Sequence, residues 1–379
     1  MEKTAIGWLA WDLTHSATWV GTVALTDLIA ALWVAPLAGA VTDRSNPYRL
    51  LWTTQTLMIL LALTLWWLTA SGHITIGLLI VTAIIDSTLQ GFNQPVRSVV
   101  IATLAGPTRV SQAIATNSIG MNIARTTGPA VAGLVMVTGH ISNVFWINAA
   151  SFIAMLAAVL YVRRWIDHKG LAPRHKPLLG DISAGFSYVL RTPEIATLFL
   201  LTTAFALLAR PFSELFPAFA GDVFKGGPQT LSMLMSAQGV GALFGATWML
   251  RKRSPDALVR ITFGAALGIT LALMAFTSTR TLSIAVPAMA LAGLLHVVCN
   301  IGMQSLAQTL AIPAMRGRVM ALYSLIFRAG PSLGAFLIGL AAHWIGLQWL
   351  VGIAAFTFGA LVMVCLPAAR RVYAPRAAN

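Results

Sequence analysis

The sequence predicts an all-α membrane protein built from two six-helix bundles. Three observations lead there: the composition, the recurrence of apolar runs of spanning length, and sequence markers that repeat between the two halves. Of 379 residues, 58% are hydrophobic and 9% are charged, with a mean hydropathy of +0.80. A soluble domain carries about 25% charged residues, so a soluble globular fold is excluded. Apolar runs of about 20 residues are long enough to cross a bilayer as helices.

The first such run is short. Residues 5–13 reach only half the length of a span, and Asp12 breaks them, so they read as the outer half of helix 1 rather than a signal peptide. Eleven full spans follow, at 18–42, 49–70, 74–100, 111–138, 142–163, 194–221, 230–250, 258–278, 281–311, 318–342 and 347–369. Short polar turns such as Ser71-Gly72-His73 separate them. The resulting organisation is an N-terminal bundle over 1–163, a linker over 164–193, a C-terminal bundle over 194–369 and a tail over 370–379. Within the linker, Leu178, Leu179, Ile182, Phe186, Val189 and Leu190 recur at helical spacing, which predicts a short helix on the membrane interface.

Charge sets the orientation. The net charge of +14 would suggest nucleic acid in a soluble chain; here the bases fall in alternate loops, so no nucleic-acid partner is expected. If loop 43–49 is cytoplasmic, the inside holds Arg44, Arg49, Arg97, Arg109, Arg163, Arg164, Lys169, Arg174, Lys176, Arg191, Arg251, Lys252, Arg253, Arg260, Arg316, Arg318, Arg370, Arg371 and Arg376. Only Lys225 and Arg280 fall outside, Lys3 being ambiguous. That bias predicts a cytoplasmic C-terminus in a multi-pass protein of a bacterial-type inner membrane. Cys299 and Cys365 both lie in apolar segments and imply neither a disulfide framework nor a metal site. No Gly-x4-Gly-Lys-Ser/Thr loop and no catalytic domain is present, so neither an enzyme nor a cofactor is expected.

The repeat supports two related halves. Ile123-Ala-Arg125-Thr-Thr-Gly128-Pro129 in the first half corresponds to Ile326-Phe-Arg328-Ala-Gly330-Pro331 about 203 residues on. Gly39 and Gly245 keep a similar offset, as do Arg163-Arg164 and Arg370-Arg371.

Ionisable residues deep in the spans are the functional candidates, because a charge at the bilayer centre costs about 2.5–3.5 kcal/mol on insertion scales. Asp27 lies nine residues into its span, Asp86 twelve and Arg125 fourteen, all near mid-depth of the first half. Arg125 is expected to pair with Asp86 or Asp27, as a proton-labile coupling pair or as a permanent structural one. In the second half Arg210 and Glu214 are four apart and share a helical face, between the helix-breaking Pro211 and Pro217. His296 is the histidine at mid-depth of its helix, and Arg328 lies nearer the cytoplasm as a gate residue. Gln90, Asn93 and Gln94, with Asn300 and Gln304, are candidates to line a cavity or bond between helices. Phe92, Phe212, Phe216 and Tyr323 are candidates for its aromatic wall.

The run Gly39-Ala-Val-Thr-Asp43-Arg44-Ser-Asn46-Pro-Tyr-Arg49 resembles the signature loop between helices 2 and 3 of the major facilitator superfamily. Asn46 stands where that pattern has its second glycine, a position Asn's tolerance of left-handed backbone allows, and Arg49 alone remains of its terminal basic pair. The resemblance implies that Gly39, Asp43, Arg44 and Arg49 latch a cytoplasmic gate. Gly128-Pro129-Ala-Val-Ala-Gly133 resembles the helix-5 motif of antiporters in that superfamily, which implies a packing and hinge role for Gly128, Pro129 and Gly133. The stretches 188–194 and 209–222, with Arg316-Gly-Arg-Val319, resemble the enterobactin-exporter-like (transmembrane secretion effector) branch. That branch implies the major facilitator fold, about 20 further residues before the half-helix, and proton-coupled export of a siderophore or drug-like compound by alternating access. The partners implied are a small-molecule substrate, protons and the lipid bilayer, with the chain a monomer. Uptake, lipid translocation, a receptor or scaffold without transport, and an inactive fragment are the alternatives.

Overall fold

A computed structural model describes residues 1–163, 178–249 and 255–373, and the regular elements among them are all helical. By contact the chain divides into two compact units, Met1–Thr14 with Leu25–Lys176, and His15–Ala24 with Pro177–Asn379. Eight helical segments among the described residues are long and apolar enough to cross a membrane. The fold class read from the sequence is the one observed.

The first unit holds α1 (Glu2–Thr14), most of α2 (Ala17–Arg44), α3 (Pro47–Ala70), α4 (Ile76–Thr138) and α5 (Ser142–Arg163). The α2–α3 turn corrects one expectation. Asn46 is not left-handed: its φ of −68° and ψ of 115° are extended, and its side chain caps α3 by accepting from the amides of Tyr48 at 3.0 Å and Arg49 at 3.4 Å. Pro47 explains this, since proline drives the preceding residue into extended backbone and is itself preorganised for the first helical position. After α3 the chain reverses at Gly72, whose φ of +73° glycine alone adopts without strain.

The spans 74–100 and 111–138 run into one another as α4. Its backbone leaves helical values at Gly106 (φ 65°, ψ 168°) and stays helical through Gly128, Pro129 and Gly133. Gly128 is closely packed: a Cβ on it would lie 3.3 Å from the backbone nitrogen of Met1. Tyr48, Leu51, Val96, Val100 and Val159 form a core cluster joining α3, α4 and α5.

The second unit holds α6 (Leu178–Arg191), α7 (Pro193–Ala204), α8 (Phe216–Ala218), α9 (Pro228–Met249), α10 (Pro255–Thr277), α11 (Leu282–Leu310), α12 (Arg316–Ile345) and α13 (Leu347–Tyr373). Helix α6 packs one face on α12. A Cβ on Gly185 would lie 3.1 Å from Arg318 Cβ, and the Tyr188 hydroxyl accepts from the Ile312 amide at 3.4 Å. Phe186 and Leu190, on its other side, are exposed. Trp67, Trp146, Trp344 and Trp349 are exposed near helix ends, as befits the amphipathic girdle of a membrane protein.

Glycines draw α9 and α11 together. A Cβ on Gly245 would stand 2.5 Å from the Leu294 carbonyl oxygen, and one on Gly241 or Gly293 would also meet backbone of the facing helix. Small residues at such positions replace the hydrophobic drive that helices lack in lipid. Because backbone cannot swing aside, Gly245→Val is expected to cost about 1–3 kcal/mol. Gly77→Ala, where a Cβ meets nothing within 4 Å, should leave stability unchanged. Thermal unfolding of the detergent-solubilised variants checks both.

Candidate functional site

Each unit holds a polar cluster within its apolar helices. In the first, Lys3 on α1 forms an ion pair with Asp27 on α2. The Ser87 hydroxyl on α4 donates to the other Asp27 oxygen at 2.7 Å, so three helices converge on one carboxylate. Next to Ser87, Asp86 is buried at 3% exposure and accepts from Gln90 Nε2 at 3.1 and 3.3 Å, one turn along the same helix. Glu2 is buried as well, and its carboxylate accepts from Asn148 Nδ2 on α5. One turn beyond Gln90, Asn93 donates to Thr54 Oγ1 on α3 at 3.2 Å, so it bonds between helices. Phe92 and Gln94 beside it are half-buried.

Of the gate and coupling residues expected here, Gly39 and the side chains of Asp43, Arg44 and Arg125 lie outside the described residues. Arg49 is exposed. Asp27 bonds Ser87, the neighbour of Asp86 in sequence, and the described cation at Asp27 is Lys3. Sequence reasoning missed Lys3, Glu2, Ser87 and Asn148. A mid-span amide such as Asn148 carried a usable signal, because an amide inside an apolar helix needs a partner; Glu2 and Lys3 sat beside a run too short to read as a span.

The second cluster depends on a break in the backbone. After α7, Phe205–Ala209 is a π-helical turn, Pro211–Ser213 a 3₁₀ turn, Phe216–Ala218 a single α turn and Phe219–Val223 a second π turn. Pro211 and Pro217 cannot donate the amide hydrogens that a continuous helix needs. The backbone between Arg210 and Glu214 is not a regular α-helix: the Arg210 amide bonds back to Phe205, and that of Glu214 to Pro211. The Arg210 side chain turns to α12, where Nη1 donates to the Phe327 carbonyl at 2.7 Å and the guanidinium lies 3.8 Å over the Phe327 ring. Pro331, four residues on, supplies no amide to that carbonyl. Gly330 completes the fit, since a Cβ there would lie 2.5 Å from Ala206 Cβ in the π turn.

Further polar groups of the second unit pair separately. Tyr323 is buried, stacks on Phe327 and donates to Asn300 Oδ1 at 2.8 Å. Gln238 donates to Ser213 Oγ at 2.7 Å. His296 packs its ring 5.2 Å from Phe205, and its buried Nδ1 has no hydrogen-bond partner among the described residues. Phe212 and Phe216 do not form a cavity wall: both are fully buried, ring edge to ring face, because the local turns direct them into the unit's own core. Gln304 and Arg328 are exposed. Gln238 and Phe327 were not found by sequence reasoning; the proline four residues after Phe327 was the available clue to its free carbonyl.

Apolar helices of spanning length make this a polytopic membrane protein, and its fold is the major facilitator fold. Solved structures agree: the nucleoside transporter NupG superposes with a TM-score of 0.71 at 16% identity, covering 96% of this chain and 93% of that one. A bacterial homolog of the human lysosomal transporter Spinster gives 0.68 at 15% identity, covering 98% and 92%. The chain belongs to the transmembrane secretion effector family, whose profile matches residues 1–375. Among curated relatives, the staphyloferrin A transporter of Staphylococcus aureus is 26% identical over 253 residues, 66% of this chain and 62% of that protein. The enterobactin exporter EntS of Shigella flexneri is 27% identical over 244 residues, 63% and 55%. The multidrug efflux pump Tap of Mycolicibacterium fortuitum is 28% identical over 235 residues, 60% and 56%. The matched region thus spans less than two thirds of each of these relatives.

Two outcomes test the clusters. Lys3→Gln and Asp27→Asn should each destabilise the protein, and the double variant should recover part of the loss, with a coupling of about 0.5–3 kcal/mol in a double-mutant cycle. Arg210→Lys keeps the charge but loses the planar contact with Phe327. Its thermal stability should fall by up to about 1.5–3 kcal/mol, the range for hydrogen bonds to charged groups.

Proposed function

We propose that this chain is a secondary transporter that exports a small amphipathic molecule, a siderophore or drug-like compound, in exchange for protons. The observation that carries the reading is the convergence of α1, α2 and α4 on Asp27, with Asp86 buried beside it. A carboxylate among apolar helices is tolerated when charged and paired, or when protonated and neutral. Protonating Asp27 would remove the attraction that holds Lys3 and weaken the Ser87 bond, freeing three helices to shift. Asp86 would take or pass the same proton, with Gln90 steadying either form. Arg125 is assigned the role of a second cation that competes for these carboxylates.

The second cluster supplies the cargo contact. Arg210, Tyr323 and Asn300 offer a cation, a phenol and an amide, while Phe327 offers an aromatic face. Such a set suits an anionic or polar aromatic compound better than a cationic one. The family relatives named above, which include a staphyloferrin A transporter, an enterobactin exporter and multidrug efflux pumps, support the cargo class. The residues 1–163 and 194–369 are assigned to the two transport bundles, joined by 164–193, in a monomer whose C-terminus faces the cytoplasm of a bacterial-type cell. Gly39, Asp43, Arg44, Arg49 and Arg328 are assigned to the cytoplasmic gate.

The test uses inverted membrane vesicles with a pH-sensitive dye and a panel of siderophores and lipophilic cations. Wild type should dissipate the pH gradient with at least one compound. Asp86→Asn and Asp27→Asn should abolish that response while the protein remains folded and inserted. Dissipation that survives both substitutions removes the carboxylates from coupling. Silence with every compound, from protein shown to be folded, rejects export of this cargo class by the chain.

A further inference from the structure

We propose that the second unit carries a binding groove for one acyl chain of an anionic phospholipid, on the outer face of α9, α10 and α11 and separate from both polar clusters. The groove encloses about 740 Å³ and is lined by residues that include Phe244, Thr247, Trp248, Gly264, Leu294 and Val298. That volume lies within the range of about 300–1,000 Å³ typical of small-ligand sites. Its wall is apolar in effect as well as composition, because the Thr247 hydroxyl is consumed by the carbonyls of Leu243 and Phe244 at 3.1 and 3.0 Å. A missing side chain creates the space: Gly264 is exposed, and a Cβ there would meet nothing within 4 Å. The close approach of Gly245 to Leu294 and of Gly268 to Leu295 sets the three helices around it.

Two facts select the occupant. First, Ala257–Thr277 and Leu282–Leu310 are segments of membrane-crossing length and composition, so an open apolar groove between them is bathed in hydrocarbon. Second, Arg260 is exposed and lies four residues before Gly264, hence on the same helical face one turn toward the start of α10. A guanidinium at that end suits a phosphate headgroup whose chain runs along the groove.

The experiment is native mass spectrometry of the full chain in detergent, titrated with phosphatidylglycerol or phosphatidylcholine of matched acyl chains. Wild type should retain one phosphatidylglycerol in preference to phosphatidylcholine. Gly264→Phe projects into open space, so it should fold normally, with unchanged thermal stability before lipid addition, yet lose that adduct. Arg260→Gln should still hold a lipid but lose about fivefold in headgroup preference, the equivalent of ~1 kcal/mol for one base near an anionic surface. Quenching of Trp248 by bromine-labelled phosphatidylglycerol, taken as the difference between wild type and Trp248→Phe, reports the acyl chain directly. Equal retention of the two lipids by wild type, or an adduct untouched in Gly264→Phe, overturns the proposal. So does tetraphenylphosphonium binding that is lost in Gly264→Phe while neither lipid is retained, which would make the groove an entry for cargo. The outcome is independent of proton coupling, because no transport is measured.

Discussion

In a hydrocarbon medium a polar group without a partner is costly, and this one constraint organises both units. The Phe327 carbonyl shows it most simply. Proline at 331 leaves that carbonyl without its helical donor, and Arg210 arrives from a broken helix to take the place. The same proline therefore creates the acceptor, and the prolines at 211 and 217 create the irregular backbone that lets the arginine reach it. Gly330 removes the side chain that would have kept the two elements apart. The Gly330-Pro331 pair, read in the sequence as a repeat marker, is part of the site where Arg210 docks.

In the first unit the constraint works through side chains alone. Lys3, Asp27 and Ser87 come from three helices and meet at one carboxylate, with the Lys3 side chain 60% exposed. A proton added to the Asp27 carboxylate would alter its contacts with both partners. Asp86 and Glu2 rest on amides instead, through Gln90 and Asn148, so their contacts survive a change of charge with less disruption.

Against these adjustable contacts stands a rigid frame. Where glycine puts α9 and α11 backbone against backbone, no side-chain motion can relax the packing, and the pair behaves as one body. Motion is more easily absorbed where helical hydrogen bonding is already interrupted, at Gly106 in α4 and along 205–223. Both interruptions adjoin elements that carry the polar clusters.

The sequence alone determined the membrane class and the helical fold. Spanning length, charge bias and repeat spacing are properties of the chain read one residue after another, and the bilayer imposes them whatever the packing. It also marked Asp27, Asp86, Arg210 and His296, because an ionisable residue inside an apolar run stands out without any coordinates. Only the tertiary structure decided the partners. Lys3 is the described cation at Asp27, the carbonyl and ring of Phe327 receive the Arg210 guanidinium, and Phe212 and Phe216 turn into the core. Asn46 went the same way, made extended by the proline after it. The physical reason is that partner choice depends on which helix faces which, and on where a helix departs from 3.6 residues per turn. Those are set by close packing between segments far apart in the chain, and one-dimensional spacing does not contain them.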